Sequence, residues 1–309
     1  MLGGLKSNII LSKIIECLQE KTFLELIRYS KKWQKNTKKS IENYKSYNDI
    51  EIELIPNEKL YEGDIFINYI DERRFFHIYF NNSDEEIREN YITRKEKISK
   101  IKVVLDSKIT SLNRLFKDCK CLKEIKFTKF HNKYITGLTG MFEGCTSLIK
   151  LDISKMRTEN VTHMDWMFYK CESLPEINVQ NFKTDKVTDM SCMFKHCFKI
   201  KELNLSNFNT SNVTNMKGLF FKCLSLEKVD LSNFNTSNVT DMRWMFNGCS
   251  SLMDLNILNF DTSNVENMEW IFEGCSPLIN LETPPFFYNG EIDFESIPLH
   301  REIEFKINS

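Results

Sequence analysis

From Ile109 onward the chain repeats itself every 26 residues. The unit opens at Ile109, Ile135, Val161, Val187, Val213, Val239 and Val265, with nothing inserted or lost between copies. One position of every unit is cysteine: Cys119, Cys145, Cys171, Cys197, Cys223, Cys249 and Cys275. A phenylalanine stands three places before it, from Phe116 to Phe272. This period constrains the fold more than any composition does. A unit this short buries its apolar face only against its neighbours, so the copies must stack into a solenoid.

Within the unit, the second half reads Leu-x-x-Leu-x-Leu, as in Leu226, Val229 and Leu231 or Leu252, Leu255 and Ile257. The last two of each triplet lie two apart, as a strand needs to point both at one face. The first half, Val-Thr-x-Met-x-x-Met-Phe-x-Gly-Cys, places apolar residues at i, i+3, i+6 and i+7. That spacing predicts a short helical return, with Gly144, Gly248 and Gly274 where the helix would stop. The expected fold is an α/β repeat solenoid, with one parallel sheet of strands and short helical returns.

The string Asn-Val-Thr-x-Met-x-x-Met-Phe-x-x-Cys-x-Ser-Leu-x-x-Leu-x-Leu-Ser-Asn-Phe-x-Thr-Ser resembles the BspA-like leucine-rich repeats, found in bacterial surface proteins and abundantly in protists. Residues 213–275 match it almost letter for letter. Residues 109–212 drift, with Lys186 where Asn212 and Asn238 stand in later copies. The resemblance implies a leucine-rich-repeat fold and an adhesive or ligand-binding role, and it carries no catalytic residue.

Four regions follow. Residues 1–48 are read as a helical N-terminal segment, with Ile9, Ile10, Ile14, Ile15 and Leu18, then Phe23, Leu24, Leu26 and Ile27, on helical stripes. Residues 8–40, with Leu24, Leu26, Tyr29 and Trp33, resemble a degenerate F-box without its Leu-Pro opening. That resemblance implies docking to the adaptor of a cullin-type ubiquitin ligase; the other reading is a helical cap over the first open core face. Residues 49–108 alternate apolar and polar over Ile50–Leu54, Ile65–Tyr69 and Phe75–Phe80, which predicts a small antiparallel β unit joined to the solenoid by a strand at Ile101–Leu105. Residues 109–283 hold seven repeats, and 284–309, after Thr283-Pro284-Pro285, predict a β C-terminal cap.

Charge is balanced overall at −1, which excludes a strong single-sign field, but residues 1–45 carry ten Lys/Arg against four Glu. No nucleic-acid module accompanies those lysines, so no nucleic-acid partner is expected. No secretory signal and no apolar run of transmembrane length is visible. The expected location is the cytoplasm, with the cell surface, implied by the resemblance, as the alternative. In a reducing compartment the column cysteines read as a structural column of buried thiols. Bridges are the other option, because stacked rungs bring neighbouring Cα atoms to roughly 5 Å. A hydroxyl in their place would be buried with poor partners.

Chemistry is sparse. No P-loop, G-x-G-x-x-G, G-x-S-x-G or H-E-x-x-H occurs, and the five histidines are scattered. His196 beside Cys192 and Cys197 lacks the second half of a zinc site, so neither metal, cofactor nor catalytic residues are expected. What remains is surface. The strand face, concave in such solenoids, carries Glu176, Asn178, Glu202, Asn204, Lys228, Asp230, Asp254 and Asn256, with Met253 and Leu258 as apolar exceptions. The return carries Trp166, Trp244 and Trp270 in one column, the alternative partner-binding face. The expected function is a non-enzymatic protein-interaction scaffold; the alternatives are an F-box-like substrate receptor and a surface adhesin.

Overall fold

The computed structural model describes residues 49–69, 73–93, 97–275 and 280–282. The N-terminal segment 1–48 with its F-box-like stretch, and the C-terminal cap 284–309, lie outside the described residues.

The chain first builds an antiparallel sheet from β1 (Ile50–Pro56), β2 (Phe76–Phe80), β3 (Glu86–Ile87) and β4 (Ile101–Leu105). The alternation works as the sequence predicts: Ile50, Ile52 and Leu54 are buried while Glu51 and Glu53 face out and pair with Lys102 and Lys100. Ile65–Tyr69 does not become a strand. The run is apolar at three successive positions, and Phe66 and Ile67 are both fully buried, so it has no solvent face to alternate with. A lone bridge, Ile65 to Tyr91, is all it contributes.

β5 (Leu122–Phe130) and β6 (Lys150–Asp152) belong to the first two repeats. Six strands share one sheet in the order β3-β2-β4-β1-β5-β6. β1 runs antiparallel to β5, with Leu54 opposite Ile125, while β6 runs parallel on its other side, with Leu151 opposite Ile125. The antiparallel sheet therefore covers the edge that the first repeat would otherwise leave open.

Further on, each repeat gives a three-residue strand: β7 (Glu202–Asn204), β8 (Lys228–Asp230), β9 (Asp254–Asn256) and β10 (Asn280–Glu282). Pairing is parallel in a register of 26, but the sheet is not continuous as expected; it is cut into β5–β6, β7–β8 and β9–β10. The third repeat has no strand. Pro175 stands where Ile149 donates its N–H to the Lys123 carbonyl, and proline has none to give. The unbroken ladder is on the return, where bridges link Ser111, Gly137, His163, Asp189, Asn215, Asp241 and Asn267 in turn.

The expected helical returns are overturned. Among the described residues the only helical turn is the 3₁₀ segment Arg73–Phe75. In the return at 239–264, Met245, Asn247 and Cys249 close three-residue turns onto Met242, Trp244 and Phe246. The N–H groups between them, of Trp244, Phe246 and Gly248, donate instead to Glu269, Ile271 and Glu273 of the next rung. A helix would need all of them along its own axis. The backbone turns out of register by entering the left-handed region twice per repeat, at Trp244 and Gly248 here and at the matching positions elsewhere.

The core lies between strand and return. Its axis is the phenylalanine column, Phe116 to Phe272, whose rings stack at 5.5–5.8 Å and within 17° of parallel. Each column cysteine from Cys145 on is buried and donates Sγ–H to the phenylalanine carbonyl of the preceding rung at 3.0–3.3 Å. Two polar columns seal the rest. Buried Thr158, Thr184, Thr210 and Thr236 each donate to the carbonyl 25 residues on at 2.9 Å and accept the N–H of that residue. Asn181, Asn207, Asn233 and Asn259 each donate to two carbonyls of the rung before.

Candidate functional site

The strand face is built by alternation. Ile177, Leu203, Val229 and Leu255 go inward, and Glu176, Asn178, Glu202, Asn204, Lys228, Asp230, Asp254 and Asn256 go out, all exposed. Glu176, Asn178, Glu202, Asn204, Lys228 and Asp230 come together around a groove of about 450 Å³, opened where Pro175 interrupts the ladder. Met253, Asp254, Asn256 and Leu258 lie outside that groove; Met253 is 52% exposed and Leu258 is half-buried. Asp230 accepts the Ser232 N–H, which holds its carboxyl below the usual range. Three carboxylates against one lysine give the groove a negative balance at neutral pH. Elsewhere on this face lysines are paired across rungs, Lys126 with Asp152, Lys150 with Glu124 and Lys201 with Glu227.

The return face is aromatic. Trp166, Trp244 and Trp270 hold φ of 51–58°, a region glycine occupies at Gly140 and Gly218 of the same column. That backbone lays each indole along the stack. Trp244 and Trp270 lie 5.8 Å apart and within 12° of parallel, as adjacent rungs; Trp166 meets Tyr169 edge-on at 4.8 Å. His196 packs on Phe221 at 5.5 Å and against Tyr169 and Phe198, which explains its place better than any ligand does. Burial first, and Lys195, Lys222 and Lys170 next, press its pKa down to about 4, so it is neutral at pH 7. Cys192 is buried in the tryptophan column, its thiol pushed up to about 11 by burial. Lysines cap the rings: Lys195 lies 4.4 Å from the Phe221 ring centre, Lys217 4.9 Å from Trp244, Lys170 5.2 Å from Tyr169. A groove of about 770 Å³ runs along Phe221, Trp244 and Trp270 between Lys195, Lys222 and Glu273. The tryptophans were legible in the sequence. Phe221, Tyr169 and the lysines were not singled out; Tyr169, Lys195 and Phe221 share one offset of successive units and Lys170 and Lys222 the next, but the residue type changes from copy to copy and gives no column signal.

Among the described residues, no three His, Cys, Asp or Glu side chains stand close enough to hold a metal ion, and no helix is long and apolar enough to cross a membrane. Both faces offer contact surfaces.

The sequence model of a family described as "Mycoplasma protein of unknown function, DUF285" matches residues 110–203 and again 176–280, more than half of the 309-residue chain. The chain belongs to that family. DUF285 is a BspA-like repeat family, in line with the resemblance seen in the repeat itself. Both grooves fall wholly inside the DUF285 match. Among solved structures, a leucine-rich-repeat protein of T. pallidum is similar over 54% of this chain and 70% of its own, at 18% identity and a TM-score of 0.33. No curated protein matches the chain.

Proposed function

We propose that this DUF285 protein is a non-enzymatic protein-interaction scaffold that takes a basic, extended segment of a partner on the strand face of its third to fifth repeats. The observation that carries the reading is the groove at Pro175, where six polar side chains that contribute nothing to the core converge with a negative balance. Desolvated contacts in such a groove give affinity, and its charge gives steering and selectivity. Met253 and Leu258 supply apolar anchors one rung further on. On this reading the protein works in the cytoplasm, where its buried thiols stay reduced.

The test uses the full chain and a lysine-rich peptide as probe. Reversing charge with Glu176→Lys, Glu202→Lys and Asp230→Lys is expected to weaken binding by about tenfold at low salt and less at high salt. Met253→Ala with Leu258→Ala is expected to raise the off-rate with little change in melting temperature. Unchanged binding in the charge-reversed variant overturns the assignment.

A further inference from the structure

The second groove has the opposite character. Rungs three to five present Lys170, Lys195, Lys217 and Lys222 on the return side, and among the described residues none of the four forms an ion pair. Their ammonium groups sit over aromatic rings instead, at 4.4–5.9 Å from the ring centres. Three carboxylates on this side are engaged inside the repeats. Asp189 accepts from Ser191 and Asn215, Asp241 from Arg243, and Glu273 from Asn247. A ring weakly neutralises the cation above it, so the lysines still offer charge outward. Trp270, 49% exposed at the end of its stack, offers an apolar surface beside them.

From this juxtaposition we propose a second docking surface, for an acidic polypeptide segment of a partner protein that sets an apolar side chain against Trp270. It goes beyond the strand-face reading, because it uses different residues and attracts the opposite charge. Three features choose the occupant. First, charge complementarity: unpaired lysines flank an apolar groove, which suits carboxylates alternating with apolar side chains. Second, the ring faces between rungs are taken, which leaves Trp270 as a single open surface and no series of slots. Lys195 covers Phe221, Lys217 covers Trp244, and Trp244 stacks on Trp270 at 5.8 Å, so the slots into which single-stranded bases would stack are closed. Third, Trp270 is the one largely exposed tryptophan of its column among the described residues, with Glu273 in the same groove, so the face lacks the row of apolar side chains that inserts into a bilayer. The tryptophans also occupy a backbone conformation where glycine is at home, and nothing in the core requires them there.

The experiment titrates the full chain against a fluorescein-labelled peptide alternating Glu with Leu and Phe, read by anisotropy. The same peptide with Lys for Glu, a single-stranded oligonucleotide and anionic phospholipid vesicles serve as competitors. Binding of the acidic peptide is expected, weakened about tenfold by Trp270→Ala and by Lys195→Glu with Lys222→Glu. The lysine variant is also expected to lose most of the salt dependence. A charge-neutral strand-face variant carrying Glu176→Gln, Glu202→Gln and Asp230→Asn is expected to bind the acidic peptide as the parent does, so the two surfaces fail separately. Unchanged melting curves show that each variant is folded; should Trp270→Ala unfold the chain, Trp270→Leu keeps the test, with a smaller loss expected. Wild-type affinity in the lysine variant, equal binding of the Lys-bearing peptide by the strand-face variant, or tighter binding of oligonucleotide or vesicles than of the acidic peptide overturns the proposal.

Discussion

At Cys223 the thiol donates to the Phe194 carbonyl, 3.1 Å away in the preceding rung, and burial pushes its pKa up to about 12. A serine there keeps that acceptor, which corrects the expectation of a hydroxyl with poor partners. Cys223→Ser is therefore expected to cost only about 1 kcal/mol, since a buried hydroxyl with a partner avoids most of the desolvation penalty. Thermal melts check the cost, and maleimide labelling checks the burial: column thiols are expected to react only on unfolding. Two other residues give the protein opposed pH responses. His196 titrates near 4 in the fold against 6.5 when free, so the folded protein binds fewer protons between those values. Its contribution to stability is whole above about pH 6.5 and is lost as the pH falls toward 4. Asp49 is lifted to about 6 from 3.8, by burial partly offset by the Ser107 N–H. Its contribution is whole below its free value and is lost as the pH rises through about 6. Between about pH 7 and 4.5, His196→Asn is expected to flatten the fall in melting temperature and Asp49→Asn to steepen it. An unchanged slope in His196→Asn would show that neither burial nor the lysines around it depress its titration.

The return is the element that sequence periodicity misjudged. Apolar spacing of i, i+3, i+6 and i+7 reports which side chains are buried, and Met242, Met245 and Phe246 are. It does not report where the N–H groups point. Here every second one serves the next rung, and only five of the fourteen left-handed positions that make this possible are glycine. Arg114, Lys170, His196 and Trp244 hold the same conformation with no sequence signal beyond their place in the column. The strand face was more legible, because a period of two leaves no choice of side. Its groove was not, since a lapse in strand pairing beside Pro175 leaves no trace in the period. Pro175→Lys, the residue at Lys123 and Lys201 of the same column, restores a donor toward the Ile149 carbonyl. It is expected to stabilise the chain by about 0.5–1.5 kcal/mol and to slow amide exchange around Ile177. No gain in protection there would mean that the gap has another origin.

Across the whole molecule the period, the buried columns and the parallel stacking were all readable before any coordinates, because each follows from one unit packing on its copy. How the first rung is covered was not readable. It depends on β1 pairing antiparallel with β5, a long-range match between unlike segments that no repeat encodes. Inside the stack, by contrast, the recurring links join a residue to a neighbouring copy 25 to 29 places away: Thr210 to the carbonyl of Asn235, Cys249 to that of Phe220, Phe220 to the ring of Phe246. A rung thus recognises the kind of neighbour it has and is indifferent to which copy supplies it. Remove residues 213–238 and Asn212 runs into Val239, Phe246 falls on Phe194, Cys249 finds the Phe194 carbonyl, and Thr210 meets Asp261. Such a chain is expected to keep the parent's circular dichroism and to melt only a few degrees lower, while a cut of half a unit is expected to abolish cooperative melting. Length, in a molecule joined this way, becomes an editable quantity, and the same excision deletes Phe221, Lys222, Lys228 and Asp230 from the two grooves, severing recognition from architecture in one step.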